Sequence, residues 1–149
     1  MLTQFSARLI IAAPVALFAL AIACPALADP CEAIQPSGAL PAWVKPGAPF
    51  AGQVRYVIDG DSLCVGSSPN PGQWVEVRLA DFYAAELRAQ GGPEAKALLQ
   101  RLAGEREIQC VVAPHGRVRS FDRIVATCRF RGHDLSDLMR AAGAVTNRN

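Results

Sequence analysis

The stretch "YVIDGDSLCV", residues 56–65, sets two carboxylates and a glycine between two apolar runs. Asp-Gly in that setting reads as a tight hairpin turn, in which the glycine takes the positive φ of a two-residue connection. The acids then stand at a strand end, either in solvent or around something they hold. Working outward, "FAGQVRYVI" (50–58) and "DSLCVG" (61–66) are strand-like on the two sides of the turn. After the turn cluster "SSPNPGQ", the segment "WVEVRLADF" (74–82) alternates at Trp74, Glu76 and Arg78 as a third strand. "GGPEAKALLQRLAG" (91–104) predicts a helix, with Pro93 in its first turn, Glu94 at the positive dipole end and Gly104 closing it. Its Ala95, Leu98, Leu99 and Leu102 form one apolar stripe. "REIQCVV" (106–112) and "RIVATCRF" (123–130) add two strands, and "DLSDLMRAAG" adds a second helix starting at Asp134. The order is β-β-β-α-β-β-α. Five short strands with a helix after the third give an α+β domain, a five-stranded OB-like barrel with helices.

The first residues read differently. Arg8 precedes the apolar run "LIIAAPVALFALAIA", and Ala26-Leu27-Ala28 follows as a small-residue cleavage signal. Residues 1–28 therefore read as a secretory signal peptide. The run of about 15 residues contains Pro14 and is short for a membrane span, which needs about 20. A lipoprotein reading, with Cys24 as the acceptor, competes with it. The expected mature chain begins at Asp29 and is exported, periplasmic or secreted, with no stable membrane association after cleavage. Residues 29–50, with Pro30, Pro36, Pro41, Pro46 and Pro49, read as a proline-rich arm. Residues 51–149 hold the domain.

Removal of residues 1–28 leaves Cys31, Cys64, Cys110 and Cys128. An even number in an exported chain points to two disulfides, with three pairings possible. Metal binding is the competing reading, but no pair has close ligand spacing and neither His115 nor His133 sits near one. Both histidines lie beside glycines and read as solvated loop residues. Loss of Arg8 takes the net charge from +2 to +1, so net charge says nothing about partners. Charge distribution says more: Arg117, Arg119, Arg123, Arg129 and Arg131 cluster, as suits a polyanion or simply a solvated face.

Several charged groups fall at strand ends: Asp61, Arg78, Glu86 and Arg123. Joined at one barrel mouth, they would suit phosphodiester cleavage. A carboxylate holds a hard cation, a glutamate takes a proton from water, and guanidiniums bind the charge that builds on phosphorus. "VIDGDSLCV", "VRLADFYAAEL", "GGPEAKALLQRL" and "SFDRIVATCRFRGHDLSDLMRAAGAV" together resemble the staphylococcal nuclease family, from about Gly52 to Val145. The resemblance implies an OB-like barrel and calcium-dependent hydrolysis of DNA and RNA. It places the metal-binding aspartate of the family's "DGDT" on Asp61, with Asp59 as supporting acid. Arg78 takes the place of the arginine of "VRL", Glu86 that of the general base closing "DAPE", and Arg123 that of the arginine ending "DRYGR".

The departures from the family pattern bear on activity. Where "DAPE" supplies a second metal ligand, this chain has Tyr83, a poor ligand for calcium, so Ca2+ binding is expected to be weak. The backbone carbonyl of Ala84 remains as a ligand, and Asp81 is a substitute if the third strand ends early. In "RSFDR", Arg119 replaces an acid, and Asp122 replaces the glycine, a position where aspartate tolerates left-handed backbone. Phe121 keeps an aromatic ring for stacking on a base, and Arg117 with Arg119 would bind the strand of nucleic acid. The chain also stops at Asn149, short of the family's further C-terminal helix. Cys110 and Cys128 lie in strands expected to pair, which leaves Cys31 with Cys64. The expected function is an exported, monomeric, metal-dependent nuclease. Its alternatives are a barrel that binds nucleic acid or a protein partner without cleavage, and a bare scaffold for the arm.

Overall fold

A computed structural model describes residues 29–147; the expected signal segment at 1–28 lies outside the described residues. The barrel is formed by β1 (Pro49–Val57), β2 (Ser62–Gly66), β3 (Val75–Leu79), β4 (Glu107–Val112) and β6 (Arg123–Phe130). They lie in the order β3-β2-β1-β4-β6, and a parallel pairing of β3 with β6 closes the ring. β1 serves two sides of it. Its first half, Pro49–Gln53, pairs with β4, and from Gln53 to Val57 it pairs with β2, with an irregular register between Val54 and Tyr56. Helix α1 (Gly92–Ala103) follows β3, and α2 (Leu135–Ala141) follows β6. This is the expected OB-like architecture. Two strands of two residues each, β5 (Arg119–Ser120) and β7 (His133–Asp134), flank β6 in addition.

Alternation fills the interior. Val75, Val77 and Leu79 of β3, Ile108, Cys110 and Val112 of β4, and Ile124, Ala126 and Cys128 of β6 are all buried. Leu99 of α1 and Leu135 and Met139 of α2 cap the same cluster. Helix α1 carries Pro93 and Glu94 in its first turn, and Asp134 caps α2 by accepting the Ser136 N–H at 2.8 Å.

Both expected disulfides are present, Cys31–Cys64 and Cys110–Cys128. Cys110 and Cys128 face one another in the β4–β6 register. Cys31–Cys64 ties the arm to β2, and the amides of Glu32 and Ala33 donate to the Pro71 and Trp74 carbonyls at 3.2 and 3.1 Å. Ile34 and Val44 of the arm are buried against the barrel. Arg119, expected to bind nucleic acid, instead donates to the arm carbonyls of Gln35 and Gly38. Two disulfides suit an oxidising compartment. Among the described residues, no helix is long and apolar enough to cross a membrane.

Two expectations about turns are corrected. The β1–β2 connection is four residues, 58–61, and Gly60 is not among the glycines with positive φ. Its role is close approach: a Cβ there would lie 2.5 Å from the Ala84 Cβ and 2.6 Å from the Ala95 Cβ. In the β5–β6 turn, the left-handed residue is Phe121, with φ of 60°, and Asp122 is not in that region.

Candidate functional site

Asp61 sits where the β1–β2 connection meets β3, and its carbonyl accepts the Leu79 N–H at 2.8 Å. The side chain is buried and fully engaged. Oδ1 pairs with the Arg78 guanidinium at 2.7 Å and accepts the Ser62 hydroxyl at 3.3 Å, while Oδ2 accepts the Ala84 N–H at 2.7 Å. The Asp61 N–H donates to Asp59 Oδ1 at 2.9 Å, so Asp59 shapes the turn and adds a second negative charge beside it. Burial, then Asp59, push the Asp61 carboxyl up to about 6, against the pull of Arg78 and the Ala84 amide.

Arg78 points outward from β3 because its neighbours Val77 and Leu79 point into the core. Its guanidinium also donates to the Phe82 carbonyl at 2.8 Å and lies 4.9 Å from the Tyr83 ring centroid. Tyr83, where the resemblance leads one to expect a carboxylate, is 56% exposed and stacks on this arginine. Arg123 opens β6 beside β3 and donates to Ser62 Oγ at 3.3 Å and to the Ser120 carbonyl at 3.5 Å. Ser62 thus joins Asp61 to Arg123, a link signalled only by its place next to Asp61. Glu86 is exposed, on a segment packed against Gly92, where a Cβ would come within 2.0 Å of the Glu86 carbonyl oxygen.

Asp59, Asp61, Arg78, Ala84, Ala85, Glu86 and Arg123 line one cavity of about 180 Å³. A groove of about 770 Å³ shares Arg78, Ala84, Glu86 and Arg123 with it, and adds Asp81, His115, Arg117 and Asn147 among its walls. Arg117 stands on the groove, whereas Phe121 and Arg119 line neither space. Phe121 is 76% exposed on its turn. β3 does end early, at Leu79, but Asp81 faces the groove and not the smaller cavity.

Sequence reasoning missed the tail. The bridge between Ala84 and Thr146 uses the Ala85 N–H to the Val145 carbonyl, at 3.1 Å, and the Asn147 N–H to the Tyr83 carbonyl, at 2.9 Å. It fixes the Ala84 amide on Asp61 and leaves the Ala84 carbonyl outside the bridge. Three carboxylates and a carbonyl at the cavity are hard oxygen donors, and a buried acid beside a second acid attracts positive charge. Asp59, Asp61 and the Ala84 carbonyl are oxygen donors of the kind a calcium-type ion takes, but both Asp61 oxygens are already held by Arg78, Ser62 and the Ala84 amide, which an ion would have to share or displace. The chain matches no known family and no curated protein, so function is read from these residues.

Proposed function

We propose that this chain is an exported, metal-dependent nuclease that hydrolyses phosphodiester bonds in DNA or RNA. What carries the reading is the convergence of Asp61, Arg78, Glu86 and Arg123, from four separate segments, on one 180 Å³ cavity beside a longer groove. Asp61, with Asp59 and the Ala84 carbonyl, would hold a calcium ion, and Glu86 would take a proton from the attacking water. Arg78 and Arg123 bind the phosphoryl oxygens as charge builds on them, and Arg117 with His115 borders the path of the strand. The ion, when bound, supplies Lewis-acid polarisation of the phosphoryl oxygen. Export is supported by the disulfides and by the cleavage signal at Ala28, and the protein acts as a monomer on this reading.

A second reading is a barrel that binds nucleic acid without cutting it. The observation in its favour is the Tyr83–Arg78 stack, which replaces a charged ligand with an aromatic ring. Cleavage of denatured DNA by the oxidised chain in millimolar calcium separates the two. The nuclease cuts, stops in chelator, and loses roughly 10²–10⁴-fold in turnover on Glu86→Gln while keeping its affinity for the strand. Affinity without any cutting by the folded protein would establish the binding module instead.

A further inference from the structure

Glu76 lies on the outer face of β3, between inward-pointing Val75 and Val77, where a strand of an isolated barrel meets water. Yet it is only 5% exposed. The arm supplies the cover. Cys64 is the cross-strand partner of Glu76, so the Cys31–Cys64 bridge that anchors the arm also sets Asp29 beside Glu76. Asp122 approaches from the β5–β6 turn. Carboxylate oxygens of Asp29, Glu76 and Asp122 lie within 4.8 Å of one another.

Among the described residues little balances this group, although Asp29 Oδ1 accepts the Cys31 N–H at 3.1 Å. Glu76 accepts no hydrogen bond from a described residue, although a carboxylate has about four acceptor sites. Among the described residues its one ionic partner is Arg123, whose Nε stands 3.9 Å away, beyond hydrogen-bond distance. That guanidinium is occupied by Ser62 and Ser120. Burial, then Asp29 and Asp122, push the Glu76 carboxyl up to about 8, with Arg123 pulling down and Asp59 adding to the rise. The Glu76 carboxylate still touches solvent, yet held charged beside two others in so covered a position it is costly unless a cation joins them.

We propose that Asp29, Glu76 and Asp122 form a second cation site, separate from the Asp61 cavity, that takes a hard divalent ion of the calcium type. Calcium–oxygen distances of about 2.3–2.6 Å let ligand oxygens up to roughly 5 Å apart share one ion. Asp29 and Asp122 are half-exposed, so water completes the shell. The ion fastens three elements that are distant in sequence: the arm, β3, and the turn that presents Arg123. It therefore acts as a structural clamp on the arginine side of the nuclease site, and it binds whether or not that site cuts.

Thermal unfolding of the oxidised chain in the Asp61→Asn background tests this, because that variant removes the principal ligand of the other cavity. Calcium at about ten times its dissociation constant is expected to raise the Tm by roughly 5–10 °C over chelator. The rise is expected to vanish in Asp61→Asn/Asp122→Asn, whose second change is on a half-exposed turn, and in Asp61→Asn/Glu76→Gln. No calcium-dependent rise in the Asp61→Asn protein would overturn the proposal and leave Glu76 neutralised by a proton or by the chain's own charges. A rise that survives in both double variants would overturn it too, since the ion would then sit elsewhere. Neither result depends on cleavage of nucleic acid.

Discussion

Asp61, at the end of the β1–β2 connection, and Glu76, on β3, are both buried acids of the same barrel, yet their surroundings are opposite. Asp61 receives a guanidinium at 2.7 Å, a backbone amide at 2.7 Å and a hydroxyl. Glu76 receives no hydrogen bond and has an arginine at 3.9 Å. Both carboxyls are pushed up by burial, to about 6 and about 8 respectively; Asp29 and Asp122 push Glu76 further, while Arg78 and the Ala84 amide pull Asp61 back. Burial alone does not define a site. An acid held by oriented donors is a fixed group around which chemistry can be arranged, whereas an acid without donors is a request for a counter-ion.

The widest break in that comparison comes from removing the donor that distinguishes Asp61. Arg78→Gln leaves a buried carboxylate without its ionic partner and is expected to cost about 3 kcal/mol in urea denaturation at neutral pH. The loss is expected to shrink below pH 6, where the carboxyl takes up a proton.

Glu76 is predicted to behave the other way. Its folded-state carboxyl is raised from 4.5 to about 8, so the folded protein binds the proton more tightly than the unfolded chain does. In chelator, the stability from this group is full below pH 4.5 and is lost as pH rises through about 8. The groups facing it are Asp29, Asp122, Asp59 and Arg123, so the decline belongs to the cluster. Glu76→Gln is expected to flatten it and, at pH 8 in chelator, to stabilise the protein by on the order of 1–3 kcal/mol. Removing the donor thus destabilises the fold at one position, and removing the acid relieves it at the other. Unfolding curves at pH 5 and pH 8 check both signs.

A smaller effect sharpens the account of Asp61. Gly60→Ala places a methyl 2.5 Å from Ala84 and 2.6 Å from Ala95, which forces the Ala84 segment away from the carboxylate. A cost of about 1–2 kcal/mol is expected, measured by urea denaturation. It should be accompanied by faster hydrogen exchange at the Ala84 amide, the donor to Asp61.

The element order and the pairing of the cysteines were legible because local patterns carry them: alternation in β3, β4 and β6, and a capped, amphipathic α1. Asp61, Arg78, Glu86 and Arg123 were legible as a set through their place at strand ends and their resemblance to one nuclease family. What escaped depends on contacts between distant segments. Gly60 looked like a turn residue, since Asp-Gly signals φ > 0, but its role is set by Ala84 and Ala95. Arg119 read as a nucleic-acid contact, whereas the arm, more than eighty residues earlier, holds its guanidinium. Glu76 read only as one of the alternating residues of the third strand. Its burial follows from where Cys31 is tied, which no periodicity in β3 encodes. The left-handed residue fell on Phe121 because the tight β5–β6 connection, pairing Ser120 with Arg123, fixes which residue turns.

The two bridges join cysteines that are consecutive among the described residues, 33 and 18 positions apart, and neither loop encloses or crosses the other. That connectivity has a consequence for biogenesis. A chain delivered N-terminus first to an oxidising compartment presents Cys31 and Cys64 before Cys110 appears, and thiols oxidised in order of arrival are already correctly paired. A chain delivered in that way, with residues 1–28 removed, would need only an oxidase to form these two bridges.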